Sequence, residues 1–186
     1  MKRGLSTVVR MQLHWIQPKT FERWFELRAG DSLFATLCFE TAFGTLATAE
    51  SADGSWTFKR VGFLNPRVTV REVGAEANLA IYQPRFWGDG SLEFPDARVF
   101  HWKSTNFWGT QWGFADSGEN LLFALKPGVD KPKLSDLFKT QAIVEIDPRG
   151  RALAELPLLV LLGWYLMILH QDDAAATTAA VTAAAS

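Results

Sequence analysis

Histidine is the residue type that most often performs acid–base or metal chemistry, and this chain contains three of them, His14, His101 and His170. None stands at a metal-ligand spacing from another histidine or from a cysteine. His14 and His101 each precede a tryptophan in an alternating stretch, which favours a structural role. His170 follows an apolar run, where a donor or cation suits the C-terminal end of a helix. The histidines therefore predict neither a catalytic nor a zinc site.

The carboxylates lie mainly in turns, beside glycine or proline. The stretch "DGSLEFPD" brings Asp89, Glu93 and Asp96 together and could seat a divalent cation, but it lacks the register of a calcium loop. The neighbouring "WGDG" is no dinucleotide-binding motif, since it does not open a helix. We therefore predict no metal, no cofactor and no catalytic residue, and an enzyme is the function class with the least support.

The only cysteine, Cys38, lies in the apolar stretch "LFATLCFE" and is predicted to be a buried structural thiol. One cysteine excludes an internal disulfide and is typical of a reducing compartment. The N-terminal stretch has positive charges but no unbroken apolar segment behind them, so no export signal is predicted. The formal net charge of -1 argues against a nucleic-acid partner. The expected location is the cytoplasm, including a peripheral position at a membrane.

One stretch is a candidate for binding an anionic partner. The sequence "FKRVGFLNPRVTVR" carries four basic residues, Lys59, Arg60, Arg67 and Arg71, and reaches no acidic residue before Glu72. Basic side chains near an anionic membrane contribute about 1 kcal/mol each. The alternative is an ordinary solvated surface, because Arg67 and Arg71 alternate with valines and would face outward from a sheet.

Large aromatic side chains are concentrated between residues 86 and 114. They are Phe86, Trp87, Phe94, Phe100, Trp102, Phe107, Trp108, Trp112 and Phe114. Exposed rings of this kind can stack on ligands or rest at a membrane interface. Because the alternating spacing favours inward packing, we expect most of them in the core. Trp87 and Trp108 each precede a glycine and are expected nearer the surface.

The elements that must position these residues are short strands. Between residues 7 and 147, runs of four to eight residues rich in Val, Phe, Trp and Thr are separated by turn signals every eight to twelve residues. In "RVTVRE", Val68 and Val70 share one face and the polar residues share the other. About a dozen strands are predicted, with no helical period before residue 150.

The stretch "LPLLVLLGWYLMIL", residues 156–169, is apolar on every side. A helix of this length spans roughly 21 Å, short of the roughly 30 Å of a bilayer's hydrocarbon core. Such a helix must be enclosed, and a barrel of a dozen strands leaves a lumen too wide for its own side chains to fill. We predict a closed antiparallel barrel over residues 1–171 around a central helix at about 156–170. The Ala-rich residues 172–186 are expected to be disordered or loosely helical.

This order of elements resembles the tubby C-terminal-like superfamily, which includes tubby domains, phospholipid scramblases and LURP-one-related proteins. The resemblance rests on "DGSWTFKRVG", "ADSGENLLFALKP" and the closing "ELPLLVLLGWYLMIL". It implies a twelve-stranded barrel around a central helix. Tubby domains bind phosphoinositide head groups, and scramblases associate with membranes. The scramblase palmitoylation segment and an acidic calcium loop have no counterpart here.

The expected function is that of a non-catalytic tubby-like domain that binds an anionic lipid head group or membrane surface. Lys59, Arg60, Arg67 and Arg71 are the predicted contact residues. Two alternatives remain open. The first is a structural or regulatory domain that binds another protein, and the second is a tail-anchored membrane protein.

Overall fold

The structure is a computed structural model that describes residues 2–5, 12–85, 88–128 and 139–184. Its strands are β1 (Leu13–Ile16), β2 (Trp24–Ala29), β3 (Ser32–Phe39), β4 (Ala47–Ser51), β5 (Ser55–Val61), β6 (Arg67–Glu72), β7 (Ala80–Pro84), β8 (Gly90–Glu93), β9 (Val99–Ser104), β10 (Trp112–Ala115), β11 (Leu121–Pro127) and β12 (Ala142–Ile146). The helices are α1 (Pro148–Arg151) and α2 (Leu156–Ala184). Every strand coincides with, or lies within a few residues of, one of the predicted runs.

The twelve strands form one closed antiparallel barrel. Each strand pairs with the next along the chain, and β1 closes the ring by pairing with β12, where Trp15 stands opposite Ala142. Closure leaves no edge strand whose backbone groups lack a partner. The short turns of the sequence explain this topology, because each one returns the chain antiparallel beside the strand it has left.

Alternation along the strands separates the lumen from the outer surface. On β5, Trp56 and Phe58 are buried and point inward, whereas Lys59 is exposed. On β6, Val68 and Val70 point inward, and Arg67 is exposed. Since successive side chains of a strand point to opposite faces, large apolar rings fill the inside and polar groups cover the outside.

Helix α2 fills the lumen. Its residues 156–169 are all buried, and the indole of Trp164 stacks on that of Trp15 with 5.4 Å between ring centroids and 4° between planes. A Cβ atom on Gly163 would lie 2.9 Å from the Trp102 ring and 3.1 Å from the Phe123 ring. A glycine is therefore needed where the helix approaches this part of the wall. The predicted fold, a closed barrel that encloses a C-terminal apolar helix, is confirmed.

The helix is longer than predicted. It continues to Ala184, where the Ala-rich tail was expected to be disordered or loosely helical. Alanine has the highest helix propensity of all residues, and a helix already formed within the barrel propagates at no further nucleation cost. The hydroxyl groups of Thr177, Thr178 and Thr182 each donate to the backbone carbonyl four residues earlier. The predicted end at residue 170 is thus wrong, and so is the prediction that His170 caps the helix.

We call the end of the barrel from which α2 emerges the exit mouth. It is the end at which β1, β3, β5, β7, β9 and β11 finish, because consecutive strands run in opposite directions. The first turn of α2 lies at the opposite end, where Glu155 forms an ion pair with Arg98. From residue 170 to residue 183 the helix is exposed beyond the exit mouth.

Candidate functional site

The hydroxyl group of Tyr165 on α2 joins two strands at the exit mouth. It donates to the carbonyl oxygen of Thr45 at 2.6 Å and accepts from the backbone N–H of Arg60 at 3.1 Å. Pairing between β4 and β5 ends where Ala47 faces Phe58. Thr45 and Arg60 lie two positions further along the same register, so the tyrosine hydroxyl bridges backbone groups that the two strands no longer pair directly. Burial raises the pKa of Tyr165, which keeps this hydroxyl protonated.

Two ion pairs hold α2 to the wall just above this bridging hydroxyl. Asp172 accepts from Arg23 at 2.5 Å, and Asp173 accepts from Arg60 at 2.7 Å. Arg23 is further held by the carbonyl oxygens of Ala42 and Gly44, and its guanidinium lies 3.8 Å from the centroid of the Phe39 ring. The guanidinium of Arg23 therefore has several partners, whereas that of Arg60 has Asp173 as its hydrogen-bond partner within the described chain.

Beside Arg60, a cavity of about 150 Å³ lies between the last enclosed turns of α2 and the strands β5, β6, β7, β9 and β10. Its apolar walls include Val68, Tyr82, Trp102, Trp112, Leu166 and Met167. Its polar boundary includes Arg60, Arg67, His170 and Asp173. Concave sites with an apolar lining and a few converging polar groups are the usual form of small-molecule sites.

Arg67 differs from the other charged groups of this boundary. It begins β6 at the exit mouth, is exposed, and its side chain forms no ion pair or hydrogen bond with any other residue in the described ranges. Arg60 is compensated by Asp173. The ring of His170 packs beside the indole of Trp112 with 5.7 Å between centroids. Among the described residues that border the cavity, Arg67 is thus the one cation without an anionic partner.

Large apolar side chains are also exposed at the exit mouth, on the loops that follow β1, β3, β5 and β9. They are Phe21, Phe43, Phe63, Leu64, Phe107 and Trp108, which we call the tip residues. Each has at least 80 % of its surface exposed. At the opposite end, the described residues expose one large apolar side chain, Val73, at 53 %. Exposed apolar side chains that concentrate at one end of a domain are typical of an interaction surface, because scattered exposure would place them at both ends.

The four predicted contact residues do not share one face. Lys59, Arg67 and Arg71 alternate outward on β5 and β6, where Lys59 stands opposite Thr69, and Arg67 and Arg71 are its diagonal neighbours. Arg67, the first residue of β6, also borders the cavity at the exit mouth. Arg71 donates to the Asn78 side chain. Arg60 has the opposite orientation and points toward the exit mouth, where it borders the cavity.

The other sequence candidates behave as structural groups. Cys38 is half-buried, not buried as predicted. Its partial burial, with Glu40 and Glu50 nearby, raises the pKa of the thiol, which makes it a poor nucleophile. Glu93 accepts from Ser91, and Asp96 pairs with Arg98. Within the described ranges, no group of three His, Cys, Asp or Glu residues is placed to hold a metal ion.

The aromatic-rich segment divides between core and surface. Phe94, Phe100, Trp102, Trp112 and Phe114 are buried, as expected. Trp108 is exposed, also as expected, but Phe107 is exposed as well, at 93 %. The predictions for Phe86 and Trp87 fall outside the described residues. Sequence reasoning missed the tip residues as a set. The signal was present as a Phe or Trp in several of the turns that the topology places at one end.

No protein-family model, curated protein or solved structure matches this chain. The resemblance to the tubby C-terminal-like superfamily therefore stays a prediction. Among the helices of the described chain, none combines the length and apolarity that a membrane crossing requires.

Proposed function

We propose that this protein binds anionic membrane surfaces through its exit mouth, as a non-catalytic domain. The observation that carries the proposal is the set of six tip residues on four loops at one end of the barrel. Fully burying one Phe or Leu side chain contributes about 1.5–3 kcal/mol. Several tips that enter the interface together would therefore provide substantial affinity, and Trp and Phe rings suit that zone.

The charges near the exit mouth agree with an anionic surface. Arg67 and Lys59 have no ion-pair partner among the described residues, and both face outward on the strands that flank the loop of Phe63 and Leu64. Each basic side chain near an anionic leaflet contributes about 1 kcal/mol. The resemblance to tubby domains, which bind phosphoinositide head groups, supports the same class of partner.

The exposed part of α2 is compatible with an orientation in which the exit mouth faces the membrane. Residues 174–184 carry no charge, and its threonine hydroxyls are bonded to the helix backbone. Eleven residues extend roughly 16 Å, about half of a bilayer's hydrocarbon core. A barrel whose tips rest at the interface would place this segment within one leaflet without a crossing.

Flotation of the detergent-free protein with vesicles tests the proposal. We expect binding to vesicles that contain an anionic phospholipid, weaker binding to neutral ones, and a decrease with salt. The double variant Phe107→Asp/Trp108→Asp should reduce binding more than tenfold, since it removes two rings that make no core contact. Val73→Asp at the opposite end is the matched control and should bind as the wild type does.

A second set of variants tests the charges. Lys59→Glu/Arg67→Glu should weaken binding and reduce its salt dependence, whereas Arg149→Glu/Arg151→Glu, which makes the same change of charge on α1 at the opposite end of the barrel, should not. A folded wild-type protein that does not float, or a tip variant that floats normally, would overturn the proposal. The tip residues would then be assigned to a protein partner.

A further inference from the structure

We infer that the cavity at the exit mouth binds a single-chain anionic amphiphile: its apolar chain lies between α2 and the wall, and its anionic head is held by Arg67 and Arg60. This inference concerns a free ligand in a cavity. It does not depend on membrane docking by the tip residues.

The apolar part of the cavity determines the chain that it can take. An apolar cavity of about 150 Å³ accommodates a group the size of benzene, which corresponds to a short segment of a hydrocarbon chain. The walls come from both partners of the fold, with Leu166 and Met167 on α2 and Trp102 and Trp112 on the barrel. These side chains are at most 7 % exposed, so the site is preformed by the core.

The polar boundary determines the head group. Arg67 is a cation without a partner in the described chain, and Arg60 is paired with a carboxylate, Asp173, that lies on α2 at the same opening. Because Arg60 already binds the Asp173 carboxylate, its position suits the negatively charged oxygens of a ligand. A ligand carboxylate or phosphate could bind Arg67 directly and share or replace Asp173 on Arg60, since guanidinium groups bind such anions through two parallel hydrogen bonds.

The apolar walls and the basic boundary together favour a ligand that has both an apolar chain and an anionic head. A purely ionic ligand would leave the apolar walls unused, and a neutral apolar ligand would make no use of Arg67. The other groove at the exit mouth is lined by Arg23, Phe25 and Asp172 and provides an internal comparison. There the arginine already has an aspartate, two carbonyl oxygens and an aromatic ring as partners. Of the arginines that border these two grooves, Arg67 is the one with no such partner in the described chain, and it borders the cavity.

The test uses octanoate, octyl phosphate and octanol as probes with the full-length protein and without vesicles. Titration calorimetry measures affinity, and the fluorescence of Trp102 and Trp112, assigned with Trp→Phe variants, reports where the chain lies. We expect octanoate or octyl phosphate to bind, octanol to bind at least tenfold more weakly, and acetate or inorganic phosphate not to bind. The two anionic probes decide between a carboxylate and a phosphate head.

Matched variants locate the site. Arg67→Gln should weaken binding of the anionic probe about tenfold, and Asp173→Asn, which releases Arg60, should strengthen it. Asp172→Asn changes the same charge at the other groove and should leave the affinity unchanged. Leu169→Trp, which enlarges a side chain that lines the cavity, should abolish binding of every probe if the variant remains folded.

Three results would overturn the inference. Octanol that binds as tightly as octanoate would show that the cavity is merely apolar. Equal affinity of acetate and octanoate would show that the chain does not enter. Unchanged affinity in folded Arg67→Gln and Asp173→Asn variants would place the probe elsewhere. None of these results depends on flotation, so this inference and the proposed function fail independently.

Discussion

Asp172 and Asp173 are neighbours on α2, yet they pair with arginines three strands apart on the barrel wall. Arg23 directly precedes β2, and Arg60 lies on β5. Three of twelve strands correspond to about a quarter of the circumference, and successive residues of a helix are about 100° apart around its axis. Asp172 and Asp173 therefore contact two different parts of the barrel wall. Together their ion pairs restrain the rotation of α2 about its axis and its position along that axis.

The first prediction concerns Asp172 and pH. Asp172 is exposed in part, and the share of its carboxyl that packs against the exit mouth is desolvated. This desolvation raises the pKa of Asp172, although Arg23 opposes the shift. Because the pKa of Asp172 is higher in the folded than in the unfolded protein, protonation of this carboxyl stabilises the fold. That stabilisation is fully present below the unfolded-state pKa and is lost as the pH rises through the folded-state pKa. Asp172→Asn resembles the protonated form. At pH 7 its free energy of unfolding should therefore equal or slightly exceed that of the wild type, within about 1 kcal/mol.

Urea denaturation of both proteins from pH 3 to pH 8 measures this effect. The difference in free energy of unfolding between the wild type and Asp172→Asn should shrink below about pH 4, where the wild-type carboxyl is protonated in both the folded and the unfolded state. A clear loss of stability in Asp172→Asn at pH 7 would contradict the prediction. Asp173→Asn is the control, since it removes an exposed ion pair and should cost at most about 1 kcal/mol.

The second prediction concerns the bridge made by the Tyr165 hydroxyl. Tyr165→Phe leaves the Thr45 carbonyl and the Arg60 N–H without this partner, and the loss should be about 1–3 kcal/mol. For a chain of this size the melting temperature should fall by about 2–10 °C. Tyr82→Phe is the matched control. Its hydroxyl makes one long contact, 3.4 Å to the Gly88 carbonyl, so the loss should be smaller. Equal losses in thermal denaturation would contradict the special role of Tyr165.

The third prediction concerns the close approach at Gly163. Alanine would gain up to about 1 kcal/mol of helix propensity, but its Cβ would crowd the Trp102 and Phe123 rings, and overpacking costs about 1–3 kcal/mol. Gly163→Ala should therefore lower stability. In a Trp102→Phe background, where the ring is smaller, the same substitution should cost less. A double-mutant cycle by urea denaturation measures this coupling, and strictly additive losses would rule out contact with Trp102.

The fourth prediction concerns the depth of the helix extension. In a Cys38→Ser background, an environment-sensitive dye on Ala179→Cys should shift to the blue when anionic vesicles are added. The same dye on Val73→Cys, which is exposed at the opposite end of the barrel, should not shift. A dye that stays in an aqueous environment on bound protein would show that the extension does not enter the leaflet, while flotation itself would remain unaffected.

Local patterns were sufficient to predict most of the fold. Alternation as in "RVTVRE" identifies β6 and its inward face, because side chains on a strand have a period of two. The apolar stretch from Leu156 to Leu169 was too short for a bilayer and apolar on all sides, so it required an enclosing barrel. The end of α2 was not predictable in this way, because an Ala-rich segment with no apolar face to bury carries little periodic signal.

The sequence by itself therefore determined the strands, the enclosed helix and the basic character of the stretch around Arg60 and Arg67. Only the tertiary structure decided which of these residues meet. Phe21 and Trp108 are far apart in sequence but share the exit mouth, because closure of the barrel brings alternate loops to one end. Arg60 and Asp173 pair across 113 positions because the helix returns through the lumen. Such long-range contacts depend on how whole elements pack, and a local pattern cannot specify them.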